Sequence, residues 1–395
     1  MTQKEKILLA IIAAIQFVHI VDFMIIMPLG PQLMRLFDIG PREFGFLVSS
    51  YTFSAGISGF LSVFYVDKFD RKKVLIVAFI GFCIGTFLCG MSPDFGLLLA
   101  ARIVTGGFGG LLNGLILAII GDAIPFERRG MAMGITMTGF SLASVFGVPF
   151  GLYIANMYDW HAPFIILAAV SLLVLAAIIF FVPAFTKHME NPSKSGPIKH
   201  FIEIITDKNS ILALLLICFL VLGQFTVIPF ISPYMVSNVG FSEKDLTYIY
   251  ILGGFAAIFT TPIMGKLADK FGKPLIFTIF CLLTIIPILL ITHMPKTELY
   301  LALIVTTIFF IFMGGRMGPA MAMITAAVKP QNRGAFMALN TSVMQLTSAF
   351  GSFLAGLIVV KAASGEMLNY NIVGYIAAVF GVLAVFIGNV LKPVD

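Results

Sequence analysis

Twelve apolar runs, each long enough to cross a bilayer as a helix, dominate this chain. A hydrocarbon core about 30 Å thick takes about 20 helical residues. Runs of that kind lie near residues 7–29, 44–66, 74–91, 95–121, 131–156 and 162–182, then 210–236, 245–267, 274–293, 298–325, 335–360 and 370–391. With 59% hydrophobic and only 11% charged residues, the chain lacks the polar surface of a soluble fold of its 395 residues. The expected fold class is therefore an all-α polytopic membrane protein of twelve transmembrane helices. The run after the short charged segment Met1–Lys6 is too long for a signal-peptide core and should remain as the first span.

An even number of spans puts both termini on one side. If that side is the cytoplasm, the inner loops and tails carry 18 of the 25 Lys and Arg residues, as the positive-inside rule requires. The expected location is a cell membrane, multi-pass, with both termini cytoplasmic. The net charge of +6 sits in these short loops and forms no continuous basic face, so no nucleic acid is expected. Cys83, Cys89, Cys218 and Cys281 fall inside apolar runs without ligand or disulfide spacing, so no metal and no cofactor is expected.

The longest polar stretch, Pro183 to Ser210, lies mid-chain and reads as a cytoplasmic linker. Within it Ile198 to Ile205 is suited either to a short amphipathic surface helix or to a plain tether. Either side of it the chain repeats: Asp67-Lys68-Phe69 recurs as Asp269-Lys270-Phe271, Pro28 as Pro229, and Arg129-Gly130 as Arg333-Gly334. Six spans per half make this a parallel repeat about an axis along the membrane normal. The expected organisation is two pseudo-symmetric six-helix bundles, residues 1–182 and 210–395, joined by a linker over 183–209.

At this point the sequence resembles the major facilitator superfamily, and within it the twelve-span drug and sugar efflux proteins that exchange substrate for protons. The loop after the second span carries the family's charge pattern as Asp67, Lys68, Asp70, Arg71, Lys72 and Lys73, with Val63 and Asp70 replacing its two glycines. The second copy, Gly265, Asp269, Lys270, Gly272 and Lys273, keeps both. Gly139 with Gly147-Val148-Pro149-Phe150-Gly151 is similar to the family's antiporter signature, with Val148 inserted before the proline. What the resemblance implies is transport rather than enzymatic catalysis. The expected partners are a small-molecule substrate, protons and membrane lipids, with the chain working as a monomer.

Ionisable residues inside spans are expensive and mark functional candidates. Asp22 and Arg102 each lie about seven residues from the outer end of their apolar runs, near enough in depth to meet. Arg102 matches the fourth-span arginine that the resemblance links to proton coupling. The pair is either a proton switch or a permanent tie between spans one and four. His19, one turn before Asp22, is either a proton relay or a histidine held by a neighbour. Gln16 completes a polar stripe on span one. Asn113 shares a helical face with Arg102, with Gly106 and Gly109 between them. Gln16, Asn113, Gln224 and Arg316 are candidate substrate-cavity residues. Arg316 has no repeat partner; it meets the first half, an anionic or hydroxylated substrate, or carbonyls freed by Pro319. Asp67, Arg71, Asp122 and Asp269 sit at cytoplasmic span ends, where the resemblance implies conformational gating and plain loop charge is the alternative.

Five scattered His residues offer no catalytic or metal cluster, and the glycine-rich stretches lack the Lys-Ser/Thr of a phosphate loop. The expected activity is alternating-access secondary transport: proton-coupled efflux of a drug-like compound or sugar. Nutrient uptake by symport or uniport, or the transport of a lipid or amphiphile, stands as the alternative.

Overall fold

The computed structural model describes residues 1–125, 128–186, 189 and 197–394, with side chains at all of these except 67, 197–200 and 331. Among the described residues twelve helices are long and apolar enough to cross a membrane. They are α1 (Gln3–Ile25), α2 (Pro41–Ser62), α3 (Arg71–Gly90), α4 (Phe95–Ala123), α5 (Arg129–Met157) and α6 (Ala162–Phe181), then α7 (Lys208–Val239), α8 (Leu246–Phe271), α9 (Lys273–Thr292), α10 (Leu299–Ala326), α11 (Arg333–Ile358) and α12 (Tyr370–Val390). The all-helical, twelve-span expectation is met, with boundaries within a few residues of the apolar runs.

Local chemistry explains the starts. Thr2 caps α1 while Glu5 bonds back to the Thr2 amide, a capping box that recruits the charged first turn. Asp70, Asp94 and Asp207 cap α3, α4 and α7 through backbone amides of their first turns. Two helices are interrupted beside prolines. In α5 a π-turn over Ala143–Gly147 precedes Pro149. In α7 the regular helix stops at Phe225 and resumes at Ile228 ahead of Pro229 and Pro233, and the last turn ends on Gly240 at φ +99°. The short helix Pro197–Thr206 falls in the polar mid-chain stretch, with Ile204 buried.

By contacts the chain divides into two units. The first comprises Met1–Ile26 with Ser50–Gly196, the second Met27–Ser49 with Pro197–Asp395. The core of the first gathers Ile12, Ile15, Phe79, Phe82, Leu112 and Ile116. The core of the second gathers Leu216, Leu220, Phe277, Ala320, Ile324 and Phe336. In the second unit Gly45 packs on Gly356, a Cβ at Gly45 coming within 2.8 Å of the Gly356 Cα. The helix Gly30–Leu36 contributes Arg35, paired with Glu243. Beyond α11 a short hairpin pairs Val360 with Leu368, and Asn238 braces it through both polar groups of the Met367 backbone.

Large apolar side chains cover the outside. Leu173, Phe180 and Phe386 are 72%, 79% and 68% exposed, a surface that water does not tolerate and lipid does.

Candidate functional site

The first unit buries a carboxylate and a guanidinium together. Asp22, one turn before the end of α1, and Arg102, two turns into α4, are both fully buried. Arg102 Nη1 lies 2.8 Å from Asp22 Oδ2 and donates to the Asp22 carbonyl at 2.9 Å. Thr86 of α3 donates to Asp22 Oδ1 at 3.0 Å. The Arg102 guanidinium stands 4.2 Å over the Tyr51 ring of α2, a cation–π contact in a desolvated setting. Four helices thus converge on one charge pair. Neither Thr86 nor Tyr51 was singled out from sequence. Thr86 is the lone hydroxyl in its apolar run, a signal that was there to use; Tyr51 sits among several polar residues of α2 and carries no such mark.

Several other buried polar atoms of this unit have no partner among the described residues. Arg102 Nε and Nη2, both ring nitrogens of His19, the Tyr51 hydroxyl and Gln16 Oε1 are buried without a hydrogen-bond partner. His19 sits among rings, 6.2 Å from Tyr51 and 5.9 Å from Phe82 between centroids. A Cβ on Gly109 would lie 2.8 Å from His19 Nε2 and 3.0 Å from the Tyr51 hydroxyl. Glycine at 109 therefore leaves the gap between these two groups open.

Glycines also set the helix spacing. A Cβ at Gly106 would stand 2.2 Å from the Tyr51 carbonyl oxygen, and one at Gly110 would stand 2.1 Å from that of Ala55. This four-residue repeat lets α4 lie directly on α2. The signature glycines of α5 do the same against α1: Cβ atoms at Gly139, Gly147 and Gly151 would meet Ala13 O at 2.3 Å, Val21 at 2.2 Å and Ile25 at 2.7 Å. The segment that resembles an antiporter signature is thus the packing surface for the helix that carries Asp22.

The remaining candidates are dispersed. Asn113 of α4 is half-buried and makes no bond to the charge pair, and Gln224 is half-buried where regular α7 ends. Arg316 of α10 is 1% exposed. Its Nη1 faces Cys281 Sγ at 3.9 Å rather than a carbonyl freed by Pro319, and its Nε and Nη2 have no hydrogen-bond partner.

Among the gating candidates, Arg71 and Asp122 pair at 3.2 Å across the adjoining ends of α3 and α4. The Asp67 side chain lies outside the described residues, and Asp269 is exposed in the last turn of α8. Nearby, Arg128 grips Glu5 with two bonds of 2.9 and 3.1 Å, tying the start of α1 to the start of α5. With Arg71 buried and Asp122 partly exposed, a double-mutant cycle on this pair should give a coupling of about 1 kcal/mol, the upper end of the range for exposed pairs. A coupling several times larger would place it in a drier setting than its exposure indicates.

The twelve-span architecture agrees with what sequence comparison finds. The Major Facilitator Superfamily pattern matches residues 12–315 and 213–395, and the chain belongs to that family. It is a multi-pass transporter by family and fold. An uncharacterized MFS-type transporter, YbcL of Bacillus subtilis (strain 168), is 24% identical over 376 residues, covering 95% of each chain. Multidrug resistance protein 2 of the same organism is 22% identical, covering 90% of this chain and 89% of its own. A bacterial homologue of the human lysosomal transporter Spinster, in an inward-facing and occupied conformation, superposes with a TM-score of 0.77 at 17% identity, covering 99% of this chain and 97% of its own. A D-xylose-proton symporter gives 0.77 at 18% identity, covering 98% of each.

Proposed function

We propose that this protein exports a small molecule across the cell membrane in exchange for protons, with Asp22 as the proton-carrying group. The observation that carries this reading is the fully buried Asp22 carboxylate, held by Arg102 and Thr86 in a largely apolar bundle. Protonating Asp22 cancels its charge and removes its hold on Arg102, so the energies of the two conformations of an alternating-access cycle shift with one proton. Arg102 serves as the counter-ion and His19 as a neighbouring stop for the proton. Gln16, Asn113, Gln224 and Arg316 face the solute during the cycle. Asp67, Arg71, Asp122 and Asp269 hold the cytoplasmic ends in one state. A proton crossing about 150 mV supplies about 3.5 kcal/mol, enough for a solute gradient of a few hundredfold.

Both termini lie in the cytoplasm on this reading, as the distribution of Lys and Arg favours, and the monomer is the working unit. The similarity to a multidrug resistance protein supports export. The test is proton release from everted vesicles on addition of a panel of sugars, lipophilic cations and organic acids. Release on addition of a transported compound is the expected result, and uptake of protons together with the compound would identify symport instead.

A further inference from the structure

The two buried arginines are built differently. Arg102 has a carboxylate at 2.8 Å, a carbonyl at 2.9 Å and an aromatic face. Arg316, equally buried, has among the described residues only a thiol at 3.9 Å, and that thiol is engaged with the Gly381 carbonyl at 3.5 Å. Two of its three nitrogens have no acceptor. Among the described residues of the second unit, no Asp or Glu lies within a spanning helix beyond its terminal turns. A guanidinium cannot shed its proton to escape this cost, as a lysine can.

The helix that carries it is also closely packed. A Cβ on Gly315 would come within 2.9 Å of Phe280 and 3.2 Å of Met264, so α10 is pressed against α9 and α8 beside Arg316. A buried, always-charged fork with open donors is complementary to a compact planar oxyanion, which it can grip with two parallel bonds.

We propose that Arg316 anchors an anionic group, a carboxylate or a similarly compact oxyanion, on the solute that this protein carries. The assignment rests on the reading of the chain as a transporter whose solute meets the second bundle, and it is independent of proton coupling. It narrows the substrate class to molecules with at least one acidic function. Lipophilic cations are disfavoured, because their charge would meet an uncompensated arginine.

Cys281 beside the guanidinium is a built-in reporter. In membranes holding the full-length protein, the rates of Cys281 modification by the anionic sulfonatoethyl methanethiosulfonate and the cationic trimethylammonioethyl methanethiosulfonate are compared by peptide mass spectrometry. Taking the ratio cancels any effect of Arg316 on the thiol itself, which both reagents share. Normalised to the same ratio for a free thiol in solution, the anionic reagent should react at least tenfold faster, a margin of the size electrostatic steering produces. Arg316→Lys should keep most of that preference and Arg316→Gln should abolish it. Propionate, and not the neutral isostere propionamide, should slow the reaction in the wild type. Equal rates for the two reagents, an unchanged preference in Arg316→Gln, or no reaction of Cys281 at all would each overturn the proposal. Because none of these readouts involves proton movement, failure here leaves the proton-exchange reading standing, and failure of exchange leaves this one standing.

Discussion

Asp22→Ala should destabilise the first unit by about 3–5 kcal/mol, because it leaves a buried guanidinium without its carboxylate. The geometry supports a value this high. Both side chains are fully buried, and the Tyr51 ring and the Asp22 carbonyl that remain to Arg102 do not neutralise its charge. Thr86→Val removes one hydrogen bond to the carboxylate, worth about 1.5–3 kcal/mol, and leaves the ion pair in place, so it should cost less than Asp22→Ala. Arg102→Ala should be as damaging as Asp22→Ala, and the double replacement should recover much of the loss, since it removes both orphaned charges. Thermal unfolding of the four proteins in detergent measures this directly. Additive losses would mean that each charge is compensated by something other than its partner.

The second large effect comes from adding a single methyl group. Gly110→Ala sets a Cβ 2.1 Å from the Ala55 carbonyl oxygen, and a backbone atom cannot turn aside as a side chain can. The α2–α4 contact must open, with an expected cost of about 3 kcal/mol, at the upper end of overpacking effects. Parting these helices also draws Tyr51 away from Arg102, so proton coupling should fall together with stability. Gly107, on the same helix, is the control: a Cβ there meets nothing within 4 Å. Gly107→Ala should leave stability unchanged or raise it slightly through helix propensity. Equal losses at both positions would show that helix spacing is not set by Gly110.

Gly110 also shows what the sequence conceals. The run Gly106-Gly107-Phe108-Gly109-Gly110 has four glycines, and composition does not tell which of them touch a neighbouring backbone. The structure separates them: 106 and 110 against α2, 109 over His19, and 107 against nothing. Span number and position were legible because the cost of polar groups in hydrocarbon is local and large enough to be written into every run. Helix starts were less so. α1 begins at Gln3 rather than near residue 7 because capping chemistry at Thr2 and Glu5 extends the helix past the end of its apolar stretch. The break in α7 after Phe225 follows from prolines that an apolarity count passes over.

The Asp22–Arg102 pairing was legible from depth and charge alone, since two opposite charges buried nearby leave few other arrangements. The position of Asp22 along its helix was less so. α1 ends at Ile25, so Asp22 lies one turn from the helix end rather than two. Tyr51 and the bare surroundings of His19 follow from how α1, α2 and α4 pack, which no single span records. The grouping of residues 27–49 with the second unit rests on contacts such as Gly45 to Gly356, far apart in sequence.

Coupling through Asp22 is tested most directly by comparing the wild type with Asp22→Asn, which keeps the shape of the side chain and removes its titration. Two readouts are taken on the same vesicles: proton release on addition of a transported solute, and exchange of labelled for unlabelled solute with no proton gradient. Asp22→Asn should retain solute exchange and lose proton release. Proton release that persists in Asp22→Asn at the wild-type ratio to solute would contradict the assignment and leave the Asp22–Arg102 pair as a static tie between α1 and α4.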